Sequence, residues 1–137
     1  VTVSVAARVD PDFLTLWSQA LDETVASRGG LQIVESIRQG KSDHERATSL
    51  VAAQSVWVAR NEHAALLGFA LCREGLIELL YVDHEHRRQG VARSILAALA
   101  ASDNPPVDGL ALPGDRATKS LYESIGWKAR LLTMRGE

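Results

Sequence analysis

One cysteine, Cys72, stands alone in 137 residues. It has no internal disulfide partner, and a reducing compartment, the cytoplasm, is expected. No apolar run approaches the ~18 residues of a membrane span, and no signal-peptide pattern opens the chain. The valine at position 1 suggests that an initiator or a short leader has been removed. Charge of one sign is missing too. Fifteen Lys and Arg against seventeen Asp and Glu leave a net charge of −2. Residues 1–74 carry seven basic and nine acidic side chains, and residues 75–137 carry eight of each, so neither half is a tail of one sign. That balance excludes a protein that holds nucleic acid by bulk electrostatics. Repeats, low-complexity tracts and linkers are absent. What is present is a globular composition, 46% hydrophobic and 23% charged, of a length that suits one domain over residues 1–137.

Val1 to Ala6 alternates apolar and small polar residues and reads as a strand. Asp10-Pro11 supplies a helix N-cap with proline at the first helical position, and Phe13, Trp17, Leu21 and Val25 follow as one apolar stripe. Gly29-Gly30 stops that helix. Leu31 to Gln39 predicts a second helix, and Ser42-Asp43-His44-Glu45 fits a capping box opening a third, to about Ala53. Val56 to Ala59, Ala65 to Arg73 and Leu76 to Val82 then read as three strands joined by short turns, an antiparallel meander. Gly90 to Ala101 has helical spacing, and Asn104-Pro105-Pro106 breaks it. A strand over Val107 to Leu112, a helix over Asp115 to Ile125 and a last strand over Trp127 to Met134 complete the order β-α-α-α-β-β-β-α-β-α-β. The fold class is α/β with a mixed sheet.

The chemistry concentrates between Leu76 and Arg93. There an apolar strand runs into a loop rich in arginine, and the loop opens directly into a helix. A helix start presents unpaired N–H groups and the positive end of the macrodipole, which favours anions and phosphates above all. Gly90 lets backbone approach such a group, Ala92 keeps the first turn free of bulk, and Arg87, Arg88 and Arg93 add charge-assisted donors. Three of the fifteen basic residues fall within these seven positions with no acid among them. The alternative is a solvated basic loop of ordinary kind.

Arg87-x-x-Gly90-x-Ala92 resembles the Gln/Arg-x-x-Gly-x-Gly/Ala signature of GNAT-type N-acetyltransferases, which bind the pyrophosphate of acetyl-coenzyme A at this helix start. Leu67-Gly68-Phe69-Ala70 and Leu79-Leu80-Tyr81-Val82 look like that family's third and fourth strands. Leu121-Tyr122-Glu123-Ser124-Ile125-Gly126-Trp127 is similar to its closing Leu-Tyr-Glu-x-x-Gly-Phe/Trp segment. The likeness spans roughly residues 55–130. A dinucleotide-binding or P-loop pattern fails instead, because the glycines are too few and no Gly-Lys-Ser/Thr follows.

The resemblance implies a GNAT-like acyl-coenzyme A N-acyltransferase fold and transfer of an acetyl group to a primary amine by direct attack in a ternary complex. It implies that backbone groups of Leu80, Tyr81 and Val82 pair with the pantetheine amides as an added strand would. Arg87, Arg88, Gln89, Gly90, Val91, Ala92 and Arg93 would hold the pyrophosphate, and Tyr122 would protonate the departing thiolate. A phenol of pKa ~10 can donate to a thiolate whose acid has pKa ~8.5; the alternative for Tyr122 is an ordinary aromatic on an amphipathic helix. Asp115 departs from the asparagine frequent at its position and is expected to cap the last helix. His84 departs from a frequent proline. Edge-strand pairing into homodimers is common in that family and stays open here.

An alkylammonium of pKa ~10.4 is less than one part in a thousand neutral at pH 7, so attack on a thioester requires loss of a proton. Glu78, in an otherwise apolar strand and by period-two counting on the face of Leu80 and Val82, is the first candidate base; His84 and ordered water are the others. A salt-bridged structural carboxylate is the competing account of Glu78. The histidines do not have zinc-ligand spacing, so no metal is expected. Two further functions remain open. One is a non-catalytic acyl-coenzyme-A-binding regulatory protein of the same fold. The other, much the weaker because no aromatics interleave with the arginines, is a nucleic-acid module. The acceptor amine has no motif.

Overall fold

A computed structural model describes residues 1–134 and 136. Five strands form one sheet in the order β1 (Thr2–Val5), β2 (Val56–Arg60), β3 (Leu66–Arg73), β4 (Leu76–Val82) and β5 (Asp108–Gly109). All neighbours are antiparallel except β4 and β5, which run parallel. The helices are α1 (Pro11–Ala26), α2 (Gly30–Arg38), α3 (Asp43–Ala52), α4 (Val91–Ala100) and α5 (Arg116–Ser124). No helix among the described residues is long and apolar enough to cross a membrane.

Alternation along the strands feeds two cores, one on each face of the sheet. Val56 and Val58 of β2 and Phe69 and Leu71 of β3 pack with Phe13, Trp17 and Leu21 of α1, Val34 and Ile37 of α2, and Leu50 of α3. Phe69 meets the Phe13 ring edge-on at 5.4 Å and the Trp17 ring at 5.7 Å. Ala59, Leu67, Ala70 and Ile77 pack on the other face with Val91, Ile95, Leu96 and Leu99 of α4 and Tyr122 of α5. The apolar stripe predicted for α1 is buried through Phe13, Trp17 and Leu21, while Val25 lies at its exposed end. Buried Arg46 donates from Nε to the Ile37 carbonyl at 2.6 Å, satisfying one of the orphan carbonyls in the last turn of α2.

Two predicted strands differ. The strand expected over Val107 to Leu112 is a two-residue β5, and Trp127 to Met134 forms no strand. Leu131, Leu132 and Met134 of that segment are exposed. A strand exists by virtue of its partner, and β5 pairs with β4 only at Leu76↔Asp108 and Ile77↔Gly109, so it offers too short a ladder to extend.

Candidate functional site

The short β5 has a consequence for β4. Leu110 N–H donates to the Ile77 carbonyl at 3.0 Å, and from there the two strands part, leaving the β5 side of β4 without a strand partner among the described residues from Glu78 to Val82. A bulge sits at the parting. Across β3, Leu71 pairs with Leu79 and Cys72 with Ile77, so Glu78 has no partner. The bulge shifts the phase of the strand: Ile77 packs in the α4 core while Leu79 and Tyr81 pack in the α1–α3 core. The period-two count that put Glu78 on the face of Leu80 and Val82 is interrupted here. Beyond the bulge the Tyr81 carbonyl lies against Gly68 of β3, and Asp83 N–H donates to the Leu67 carbonyl. By alternation the N–H and C=O groups of Leu80 and Val82 face the open edge, whereas those of Tyr81 are committed to β3.

The open edge leads through a single 3₁₀ turn, His84–His86, to the start of α4. Ser42 caps α3 and Asp115 caps α5, each accepting from a backbone N–H, whereas among the described residues no side chain caps α1, where Asp10 is the expected cap, α2, or α4, whose N-cap is Gly90 with φ 78°. Its first N–H groups are therefore left for a ligand or solvent. Arg88, with φ 64°, holds a left-handed conformation that costs a non-glycine residue roughly 1–2 kcal/mol. Arg87 Nε donates to the Val82 carbonyl at 3.0 Å, with its guanidinium 5.4 Å from the centre of the Tyr81 ring. Arg93 Nη1 donates to Ser124 Oγ at 3.2 Å.

Edge, loop and helix start border one cavity of about 640 Å³. It brings together Glu78, Leu80, Tyr81, Val82, Arg87, Arg88, Gly90, Val91, Ala92 and Arg93 of the predicted residues; Gln89 and Tyr122 are not in its wall. Asp115 is in the wall and acts as the predicted cap, Oδ1 accepting from Thr118 N–H at 3.0 Å and Oδ2 from Thr118 Oγ1 at 2.7 Å. Both carboxylate oxygens of Glu78 accept from Arg73, Oε1 from Nε and Oε2 from Nη2.

Tyr122 is buried behind the fork between β4 and β5, its ring stacked on Trp127 at 5.2 Å. Its hydroxyl has no hydrogen-bond partner among the described residues. Burial, reinforced by the Asp115 charge, pushes this phenol well above its ordinary value, so it stays protonated. An enclosed donor without an acceptor carries an unmet hydrogen bond in this structure.

A second polar cluster stands in and beside the wall, at α1. The Tyr81 hydroxyl donates to Glu23 Oε2, Gln19 Nε2 donates to the Tyr81 hydroxyl at 2.8 Å, and His84 Nε2 lies 2.9 Å from Glu23 Oε1. Burial opposes charge on Glu23, but the Tyr81 and His84 hydrogen bonds outweigh it and hold the carboxyl below its usual range. Burial and the Glu23 carboxylate together push the Tyr81 phenol up to about 12. Sequence reasoning missed Glu23. It lies 58 residues from Tyr81, and the one local signal is its position four after Gln19 on a helix. Asp83, Glu85 and His86 also gather possible ligand atoms within 4.8 Å of one another, an arrangement that exposed acidic groups commonly show without an ion.

Residues 52–129 match the family model described as an acetyltransferase (GNAT) domain. A search of curated proteins finds no match. Among solved structures, a mutant of the BH1408 protein from Bacillus halodurans superposes with a TM-score of 0.75 at 19% identity, covering 100% of this chain and 99% of that one. A ribosomal-protein-alanine N-acetyltransferase from Brucella melitensis biovar Abortus 2308 gives 0.57 at 18% identity, with 98% and 100% covered. An aminoglycoside acetyltransferase from an uncultured soil metagenomic sample gives 0.57 at 19%, with 100% and 99% covered. At these identities the structures show a shared fold.

Proposed function

Because the chain belongs to the GNAT acetyltransferase family, we propose that it transfers the acetyl group of acetyl-coenzyme A to a primary amine by direct attack in a ternary complex. The observation that carries this reading is the unpaired β4 edge running into an uncapped helix start beside three arginines. A flexible arm with spaced amides can add to Leu80 and Val82 as a strand would. A pyrophosphate can end on the N–H groups that open α4, with Arg87, Arg88 and Arg93 as charge-assisted donors. Gly90 has nothing within 4 Å of where a Cβ would stand, so the loop leaves room there.

When bound, the thioester supplies an activated acetyl group. The chain's own part is to orient it and to manage protons. Tyr122 holds a proton on a hydroxyl that lacks an acceptor among the described residues, and it would donate to the leaving sulfur only once its enclosure behind the cavity wall opens. Arg87 occupies one lone pair of the Val82 carbonyl and would release it on turning to the phosphate end. Glu78, engaged by Arg73 through both oxygens, is better placed to shape the wall than to take a proton, which leaves His84, held at Glu23, and ordered water as acceptors of the amine's proton.

The test is thermal melting with acetyl-coenzyme A, followed by an assay of thiol release over an amine panel. Ligand at 100 times its dissociation constant adds about 2.7 kcal/mol of stability. Absence of any shift at millimolar ligand sinks the reading. A second reading, a regulatory protein that binds acyl-coenzyme A without turnover, draws on the enclosure of the Tyr122 hydroxyl away from the cavity. Binding with no thiol release on any amine would favour it.

A further inference from the structure

We propose that the end of the cavity between α1, α2 and the loop after β5 takes the acceptor, and that this acceptor is a small primary monoamine with an apolar body. The inference rests on the acetyl-transfer reading above and narrows its acceptor. Gly29 and Gly30 build this end. Gly29 turns the chain with φ 77°, and a Cβ on Gly30 would overlap the Thr24 carbonyl. Glycine is what lets α2 start this close to the end of α1. Ile33 thereby joins Thr24 and Ser27 in the cavity wall. Leu112 stands at the same end, since a Cβ on Gly29 would lie 3.8 Å from Leu112 Cδ2 and 3.6 Å from Pro113 Cδ. Leu112 is half-buried, lines the cavity and belongs to neither core.

The hydroxyls at this end are neutral acceptors. Thr24 Oγ1 donates to the Ala20 carbonyl at 2.7 Å and Ser27 Oγ to the Glu23 carbonyl at 3.0 Å. Each has its proton committed to backbone and its lone pairs left over, so it can accept an amine N–H without pairing a charge. The carboxylates of the cavity wall are engaged already: Glu23 by Tyr81 and His84 with Arg87 3.9 Å away, Glu78 by Arg73, and Asp115 by Thr118. An ammonium entering beside Ile33 and Leu112 therefore loses water and gains no anion. That lowers its pKa and favours the neutral amine, the form that attacks a thioester. A second ammonium or a carboxylate on the acceptor's body would be stranded by the same desolvation. An alkyl or aryl body gains instead, by covering Ile33 and Leu112.

The experiment uses the full chain, acetyl-coenzyme A and the n-alkylamines from propylamine to hexylamine, with cadaverine as the diamine that matches hexylamine in length. Wild-type kcat/KM is expected to rise by about three- to fourfold per added methylene until this end of the cavity is filled, the factor for burying one CH2. Hexylamine should be favoured over cadaverine by about tenfold or more. Leu112→Ser should flatten the series, lowering kcat/KM by about tenfold for hexylamine and by about threefold or less for propylamine. The coenzyme-A-induced rise in Tm should be the same in both proteins. A wild-type series without slope, or cadaverine used as well as hexylamine, overturns the proposal. So does transfer to other amines but to none of the alkylamines. An unchanged slope in folded Leu112→Ser overturns it too, as does loss of coenzyme A stabilisation in that variant, which would put Leu112 on the cofactor's side. Should the variant not fold, the wild-type series decides. Failure of coenzyme A to stabilise the wild type, or thiol release with no amine at all, is a different result, which overturns the acetyl-transfer reading and this inference with it.

Discussion

Gly109 and Tyr122 fit as floor and ring: a Cβ built on Gly109 would stand 2.5 Å from Tyr122 Cζ and 2.8 Å from its hydroxyl oxygen. The missing side chain of β5 is thus what lets the phenol of α5 lie at the point where β4 and β5 separate. Trp127, stacked on the same ring, restricts its retreat. Gly109→Ala should destabilise by about 1–3 kcal/mol through this overlap. Urea unfolding measures it, and in a Tyr122→Ala background most of the penalty should vanish, since the two residues are in contact.

Tyr122→Phe separates the hydroxyl's chemistry from its packing. A buried donor without an acceptor carries a cost of about 1–3 kcal/mol, so its deletion should leave stability unchanged or raise it. Turnover should fall by about tenfold or more while stabilisation by coenzyme A persists, the loss expected of a general acid. Full turnover in the variant would remove Tyr122 from the reaction.

Arg73→Met tests what holds Glu78. The Glu78 side chain is 10% exposed, and the variant leaves its carboxylate without a cation. Because the Arg73 side chain is itself 26% exposed, the expected loss falls just below the ~3–5 kcal/mol of fully buried pairs, at about 2–3 kcal/mol. Adding Glu78→Gln should recover most of it. Thermal melts of the two single variants and the double variant provide the check.

Acid should weaken the fold in a defined direction. The Arg60 hydrogen bond holds Asp12 below its ordinary value; for Asp43 burial pulls the other way and Arg38 with Ser18 prevails, and Glu23 is lowered likewise. Each group has a lower pKa folded than unfolded. Its contribution is complete above the ordinary carboxylate range of ~4 and is lost as pH falls through the lowered value. Urea midpoints at neutral pH and at about pH 3 should show the loss, and Asp43→Asn should make the difference between them smaller.

Local signals hold with one exception: Asp10 precedes α1 as expected, but its carboxylate accepts from Arg8 and Arg60 and caps no helix N–H. Ser42 caps α3 by accepting from Glu45 N–H, and Asp115 caps α5, because a cap is decided within three or four residues. The meander and the glycine at the opening of α4 belong to the same short range. Trp127 to Met134 was misread for the complementary reason. Alternation gives a strand its faces, but only a neighbour with a long enough row of free backbone groups makes it a strand, and the edge strand β5 is two residues long.

The site divides the same way. The sequence determined its cationic half, since Arg87, Gly90, Ala92 and Arg93 lie close together in the chain and a helix start needs no distant partner to present its N–H groups. Tertiary structure alone decided the rest. The bulge at Glu78, the choice of Leu80 and Val82 over Tyr81 for the open edge, and the meeting of Tyr81 and His84 with Glu23 all depend on how strands and helices far apart in sequence pair and pack. Short-range spacing carries no information about such contacts, because they exist only after the chain has closed on itself.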